Sequence, residues 1–215
     1  MPSHASYGHL LEASVVEYLP CCTFAGVNCS DCSSMETTLK QDLRHPIGRP
    51  ALPEQPLERG SRTAYIAQIS LLPDQLRAAV TGLTPTQLDT PYRPDGWTVR
   101  QVIHHLPDSH LNSYSRFRLA LTEDNPTISP YDEEAWAALP DVGATPTAVS
   151  LALLEALHIR WTILLRNLTD EQWARTFYHP GSKRTFTLDQ ALALYAWHGR
   201  HHVAHITELR QREQW

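Results

Sequence analysis

Two short stretches of this 215-residue chain nearly repeat one another. Leu83-Thr84-Pro85-Thr86-Gln87-Leu88 is echoed by Leu168-Thr169-Asp170-Glu171-Gln172-Trp173, 85 residues further on. Each is followed by an aromatic residue and a second Thr-x-x-Gln signature, Trp97-Thr98-Val99-Arg100-Gln101 and Phe186-Thr187-Leu188-Asp189-Gln190, spaced by 89. Threonine with glutamine three residues later is a capping box: the hydroxyl accepts from one orphan N–H of the first turn, and the amide oxygen returns to the cap's own N–H. The repeat therefore divides the chain into two helix pairs of one design. It predicts a pseudo-symmetric four-helix bundle with the second and fourth helices in equivalent places.

Apolar periodicity fills in the helices. The first runs from about Ser61 to Val80, with Ile66, Ile69, Leu72, Leu76 and Val80 on one face and a bend expected at Pro73. The second opens at Thr98 and ends near Leu121. The third begins at Thr145-Pro146, with proline at the first helical position, and ends near Asn167. The fourth opens at Thr187 and reaches nearly to the C-terminus. No segment shows sustained period-two alternation, so the fold class is all-α. Residues 1–60 carry little periodicity and the prolines Pro46, Pro50, Pro53 and Pro56, which suits an extended segment strapped over a domain. The expected division is a flexible leader at 1–45 and a four-helix metal-binding domain at 46–215.

Composition narrows the function classes. A 42% hydrophobic and 19% charged chain is globular, and a net charge of −5 argues against nucleic acid or an anionic membrane as partner. No run of 18 apolar residues is present, so no membrane span is expected. Glu12 and Glu17 interrupt the apolar stretch Leu10–Phe24, which argues against a signal peptide. All four cysteines, Cys21, Cys22, Cys29 and Cys32, fall in the leader. That placement suits a reducing cytoplasm better than a secreted disulfide scaffold, and Cys29-Ser-Asp-Cys32 without a second pair is a weak zinc signal.

Histidine carries the chemistry. Of twelve, four (His198, His201, His202 and His205) lie within eight residues. The inner stripe of the fourth helix reads Leu188, Ala191, Leu192, Tyr195, His198, His202, Ile206, Leu209, so His198 and His202 continue the buried face. Residues at i and i+4 can turn two imidazoles onto one ion. His201 and His205 share that spacing, but His201 leaves the stripe. Buried rings also need partners, and hydrogen bonds alone can satisfy a single histidine. The second helix carries His104, His105 and His110, and periodicity does not choose among them. Pro107 predicts a local kink beside His105.

The run Trp97-Thr98-Val99-Arg100-Gln101-Val102-Ile103-His104-His105-Leu106, with Asp108-Ser109-His110 and Asn112-Ser113-Tyr114, resembles the DinB-like superfamily and closely its YfiT branch. So do Phe177-Tyr178-His179-Pro180 and Tyr195-Ala196-Trp197-His198 through His205-Ile206-Thr207-Glu208-Leu209. The resemblance covers about Pro46 to Trp215. It implies a bundle, often homodimeric, with one divalent metal per chain held by His105, His198 and His202, zinc or nickel being the candidates. It also implies a metal-dependent hydrolase acting on a small molecule, or alternatively a transferase of low-molecular-weight thiols of the bacillithiol kind. Three neutral imidazoles leave an ion its full charge and an open position, which suits either activation of water or delivery of a thiolate. Asp108, one turn from His105, is the candidate base, and His110 and His205 are candidates to support the ligands. A non-catalytic metal-binding bundle is the remaining alternative. There is no Gly-x-Ser-x-Gly, and no cysteine lies within the predicted domain.

Overall fold

In the computed structural model, residues 42–215 are described. The four cysteines and nearly all of the expected leader lie outside the described residues. Four long helices form the body: α1 (Arg59–Val80), α3 (Val99–Thr122), α6 (Thr147–Arg166) and α8 (Leu188–Glu213). α1 and α3 each pack against both α6 and α8.

The capping boxes do what the repeat implies. α2 (Pro85–Leu88) and α7 (Asp170–Trp173) each open on a reciprocal threonine–glutamine pair, Thr84 with Gln87 and Thr169 with Gln172. α3 and α8 open on Thr98 with Gln101 and Thr187 with Gln190. The two halves also close alike. Val99 N–H donates to the Thr90 carbonyl in one, and Leu188 N–H to the Arg175 carbonyl in the other. In the first half one bridge, Pro91 to Thr98, joins the two sides. In the second half the same position holds a hairpin of β1 (Thr176–His179) and β2 (Arg184–Thr187), paired antiparallel from Thr176↔Thr187 to His179↔Arg184. This hairpin, which sequence reading did not find, contains the four residues by which the second repeat spacing exceeds the first.

The core is two apolar clusters. One gathers Ile66 and Ile69 with Phe117, Trp161, Leu165, Leu188 and Leu192; the other gathers Leu72 and Leu76 with Val102, Ile103, Leu154, Ile206 and Leu209. α1 and α8 give their N-terminal halves to the first cluster, α3 and α6 their C-terminal halves. The chain thus runs one way in α1 and α8 and the other way in α3 and α6. Two antiparallel pairs are joined by a crossover, residues 123–146, which carries α4 (Glu133–Ala137) and α5 (Pro140–Ala144) back to the end where α6 starts. Along α8 the residues 198–205 separate the two clusters, and that gap is filled with histidine.

Local differences from expectation are small. α1 starts at Arg59 and runs through Pro73, and α3 is continuous through Pro107. Pro146 occupies the N-cap of α6 instead of its first turn, one residue from the expected place. α6 is long and apolar enough, by length and composition, to cross a membrane. It carries Glu155, His158 and Arg160, and its inner face (Leu154, Trp161, Leu165) is bundle core.

Two further contacts fix α8. The buried Arg62 guanidinium on α1 grips Asp189 in the first turn of α8, with Nε 2.8 Å from Oδ1 and Nη2 3.0 Å from Oδ2. Leu72 packs directly on Gly199, where an added Cβ would come within 2.4 Å of Leu72 Cδ2. A bare backbone there lets α1 and α8 approach beside His198.

Candidate metal centre

Each histidine that sequence left undecided has a distinct place. On α3, His104 turns toward α6, its Nδ1 2.7 Å from Ser150 Oγ. His105 turns toward α8, its Nε2 3.3 Å from His198 Nε2. His110 sits at the centre of the bundle between His158 of α6 and His198 of α8, 2.9 and 3.1 Å from their facing nitrogens. On α8, the rings of His198 and His202 lie 4.6 Å apart in a T-shaped contact, and His202 is 4.9 Å from the His105 ring. One nitrogen from each of His105, His198 and His202 lies within 4.8 Å of the other two.

The donor set fits a metal ion. A tetrahedral ion with imidazole nitrogens at about 2.0–2.1 Å spaces its neighbouring ligand atoms by about 3.3–3.4 Å. The His105–His198 separation of 3.3 Å matches that edge. These two nitrogens have only each other as partner, and His202 Nδ1 is buried without any. An orphaned polar atom is costly in a core, and a cluster of neutral imidazoles brought this close is a donor set that a shared cation satisfies. Trp97 walls one side, 4.6 Å from the His105 ring and nearly parallel to His202 at 6.2 Å.

Burial keeps these rings neutral. It holds His105 down to about 4, and places His198 and His202 well below the usual histidine range, with neighbouring histidines adding to the effect. Neutral imidazole is the form that binds a metal.

The other candidates are placed differently. His205 is buried and stacked on Tyr92 at 3.9 Å, and its Nε2 donates to the Arg44 carbonyl at 3.2 Å. It holds the segment preceding α1 against α8, as does Trp197, whose Nε1 donates to the Gly48 carbonyl. His201 stacks on Trp197 at 4.3 Å. Asp108 is not brought into the three-histidine cluster. Burial, then the neighbouring charge of Asp141 on α5, pushes its carboxyl up to about 6. His158 is a central residue that sequence reading missed. It is a lone histidine on the most apolar helix, with no spacing partner to mark it.

A family model described as the DinB superfamily matches residues 68–206. The chain belongs to the DinB superfamily. It is 52% identical over 174 residues to the Bacillus subtilis protein YfiT, covering 81% of this chain and 97% of that one. That protein's name assigns it provisionally to the metal-dependent hydrolases. A Bacillus cereus (strain AH820) protein named in the same terms is 54% identical, covering 81% of this chain and 99% of its own. The solved structure of Bacillus subtilis YfiT superposes with a TM-score of 0.79 at 53% identity, over 80% of this chain and 98% of that one. It is described as "a probable metal-dependent hydrolase with an unusual four-helix bundle topology". The parallel course of α3 and α6, bridged by a crossover, departs from a simple up-down bundle in this DinB chain too.

Proposed function

We propose that this DinB-superfamily protein is a metal-dependent hydrolase of a small-molecule substrate, with one zinc or nickel ion held by His105, His198 and His202. The observation that carries the reading is the convergence of these three neutral imidazoles, from α3 and α8, on one point. Close similarity to proteins named as hydrolases of this kind supports it. When bound, such an ion supplies Lewis acidity, polarising an electrophile and lowering the pKa of water toward neutrality. The chain's own part is to hold three ligands rigidly: α3 and α8 are fixed by their capping boxes, and the approach at Gly199 seats α8. Trp97 packs against one flank of the cluster. Asp108, free of the cluster and titrating near 6, is a group for proton transfer only if substrate reaches it.

We place the protein in the cytoplasm as a homodimer. An exposed apolar row on α6, Val149, Leu153, Ile159 and Ile163, supports a self-association face. The deciding experiment screens esters, amides and other electrophiles with the full chain, with and without an added low-molecular-weight thiol. Chelation should abolish turnover and zinc or nickel should restore it, with water as the sole co-substrate. Turnover that needs the thiol would make the protein a transferase. Full activity without metal would overturn the reading.

A further inference from the structure

We propose that His158 and His110 form a one-way hydrogen-bond relay, anchored on the Ile69 carbonyl, that locks His198 in the tautomer whose Nε2 is free to bind the metal. The inference rests on the metal-site reading above and assigns positioning roles to two residues outside the ligand set.

Four helices each contribute one member. Ile69 lies on α1, His158 on α6, His110 on α3 and His198 on α8. The successive contacts are 2.6 Å from His158 Nδ1 to the Ile69 oxygen, 2.9 Å from His110 Nδ1 to His158 Nε2, and 3.1 Å from His198 Nδ1 to His110 Nε2. A carbonyl only accepts, so the hydrogen at the first contact sits on His158 Nδ1. A neutral imidazole carries a single N–H, which makes His158 Nε2 an acceptor and His110 Nδ1 the donor to it. The same step repeats: His110 Nε2 accepts, and His198 Nδ1 donates. The lone pair of His198 is then left on Nε2, the atom facing His105 Nε2 at 3.3 Å.

Working inward from the ion gives the same directions. A ligand bonded through Nε2 must carry its proton on Nδ1, which sends the chain of donors toward Ile69. Three rings hold three N–H groups, and each has an acceptor. A protonated ring anywhere in the chain would set two N–H groups against each other. His110 and His158 are 0% and 1% exposed, so an unmatched N–H would find no water. Burial, the dominant cause, depresses both rings, His158 to about 4. The relay ends on a main-chain carbonyl within the core and offers no exit for a proton. Its work is therefore orientation and donor strength at His198, in the manner of a hydrogen-bonded group behind a metal ligand.

The test uses the full-length chain with zinc as the probe, read by competition with a chromophoric chelator. His110→Phe and His158→Phe should each weaken zinc binding about 10- to 100-fold. His158→Gln, whose amide oxygen can accept from His110 Nδ1–H, should keep affinity within a few-fold of wild type. Imidazole nitrogen–proton correlation spectra of the metal-free protein should show His198 protonated on Nδ1, and a mixture of tautomers in His158→Phe. Wild-type zinc affinity in both phenylalanine variants, or His198 protonated on Nε2, overturns the relay. If His110→Phe does not fold, the His158 pair and the spectra decide. If wild type takes up neither zinc nor nickel, the metal-site reading fails separately, and the tautomer of His198 still decides the relay.

Discussion

Replacing His158 by glutamine removes a buried ring whose protonation opposes folding. In the folded chain His158 titrates at about 4, against an ordinary value of 6.5, because burial penalises its charged form. The folded state therefore binds fewer protons than the unfolded state between these two values. Stability carried by the neutral ring is fully present above pH 6.5 and is lost as pH falls toward 4. For this one ring the loss between pH 7.5 and pH 5 is about 2 kcal/mol, by linkage with an unfolded value near 6.5. In a domain of this size that equals a fall in Tm of about 4–8 °C. His158→Gln should be the less stable protein at pH 7.5, because its replacement fills the hydrogen bonds to Ile69 and His110 imperfectly. Its deficit should then shrink by about 2 kcal/mol at pH 5, since glutamine does not titrate. Urea unfolding of metal-free wild type and variant across this range measures the difference directly. A deficit that stays constant with pH would mean that His158 does not resist protonation in the fold.

Asp108 titrates in the opposite sense: its folded value, raised to about 6, makes the ionised carboxylate a burden that builds as pH rises from the unfolded value of 3.8 and is complete above about 6. Asp108→Asn should therefore raise stability at pH 8, by about 1 kcal/mol after allowing for its partial exposure, and the gain should vanish by pH 4. The same variant should keep a full metal equivalent and lose less than tenfold in turnover, whereas a general base would be worth about 10²–10⁴-fold; melting curves and initial rates check both. A chain starting at Met35 should keep its melting temperature and metal, because the contacts to α8 from Arg44, Gly48 and Leu57 lie after that point. A large loss of stability would give Cys29 and Cys32 a structural role. Ile159→Glu with Ile163→Glu on α6 should give a monomer by light scattering, and an unchanged dimer would move the interface elsewhere.

The long helices were legible from an apolar face at helical spacing, joined in α3 and α8 by a capping box at the start. The hairpin was not legible. Strands of four residues, Thr176–His179 and Arg184–Thr187, are too short for alternation to rise above chance, and Phe177 faces Phe186 across a pair that sequence does not announce. His198 and His202 could be read from the stripe of one helix. His105 could not, since three histidines of α3 differ only in which neighbouring helix they meet, and the family resemblance chose among them. His104 meets Ser150, and His110 meets His158 and His198; these outcomes depend on how α3 is rotated between α6 and α8. His158 needed all four helices in place before its role was visible. Asp108, one turn from His105 along α3, stands beside Asp141 of α5, a neighbour that spacing along α3 does not announce.

Metal content reports whether His105, His198 and His202 share one ion. Full-length wild type, loaded with zinc or nickel and freed of excess, should retain one equivalent per chain by elemental analysis. His105→Ala, His198→Ala and His202→Ala should each fall far below that, since each removes one ligand from the three-histidine cluster. His201→Ala should keep the full equivalent, because His201 has the same i, i+4 spacing on α8 but stacks on Trp197 outside the cluster. A full equivalent held at wild-type affinity by any of the three ligand variants would contradict the account.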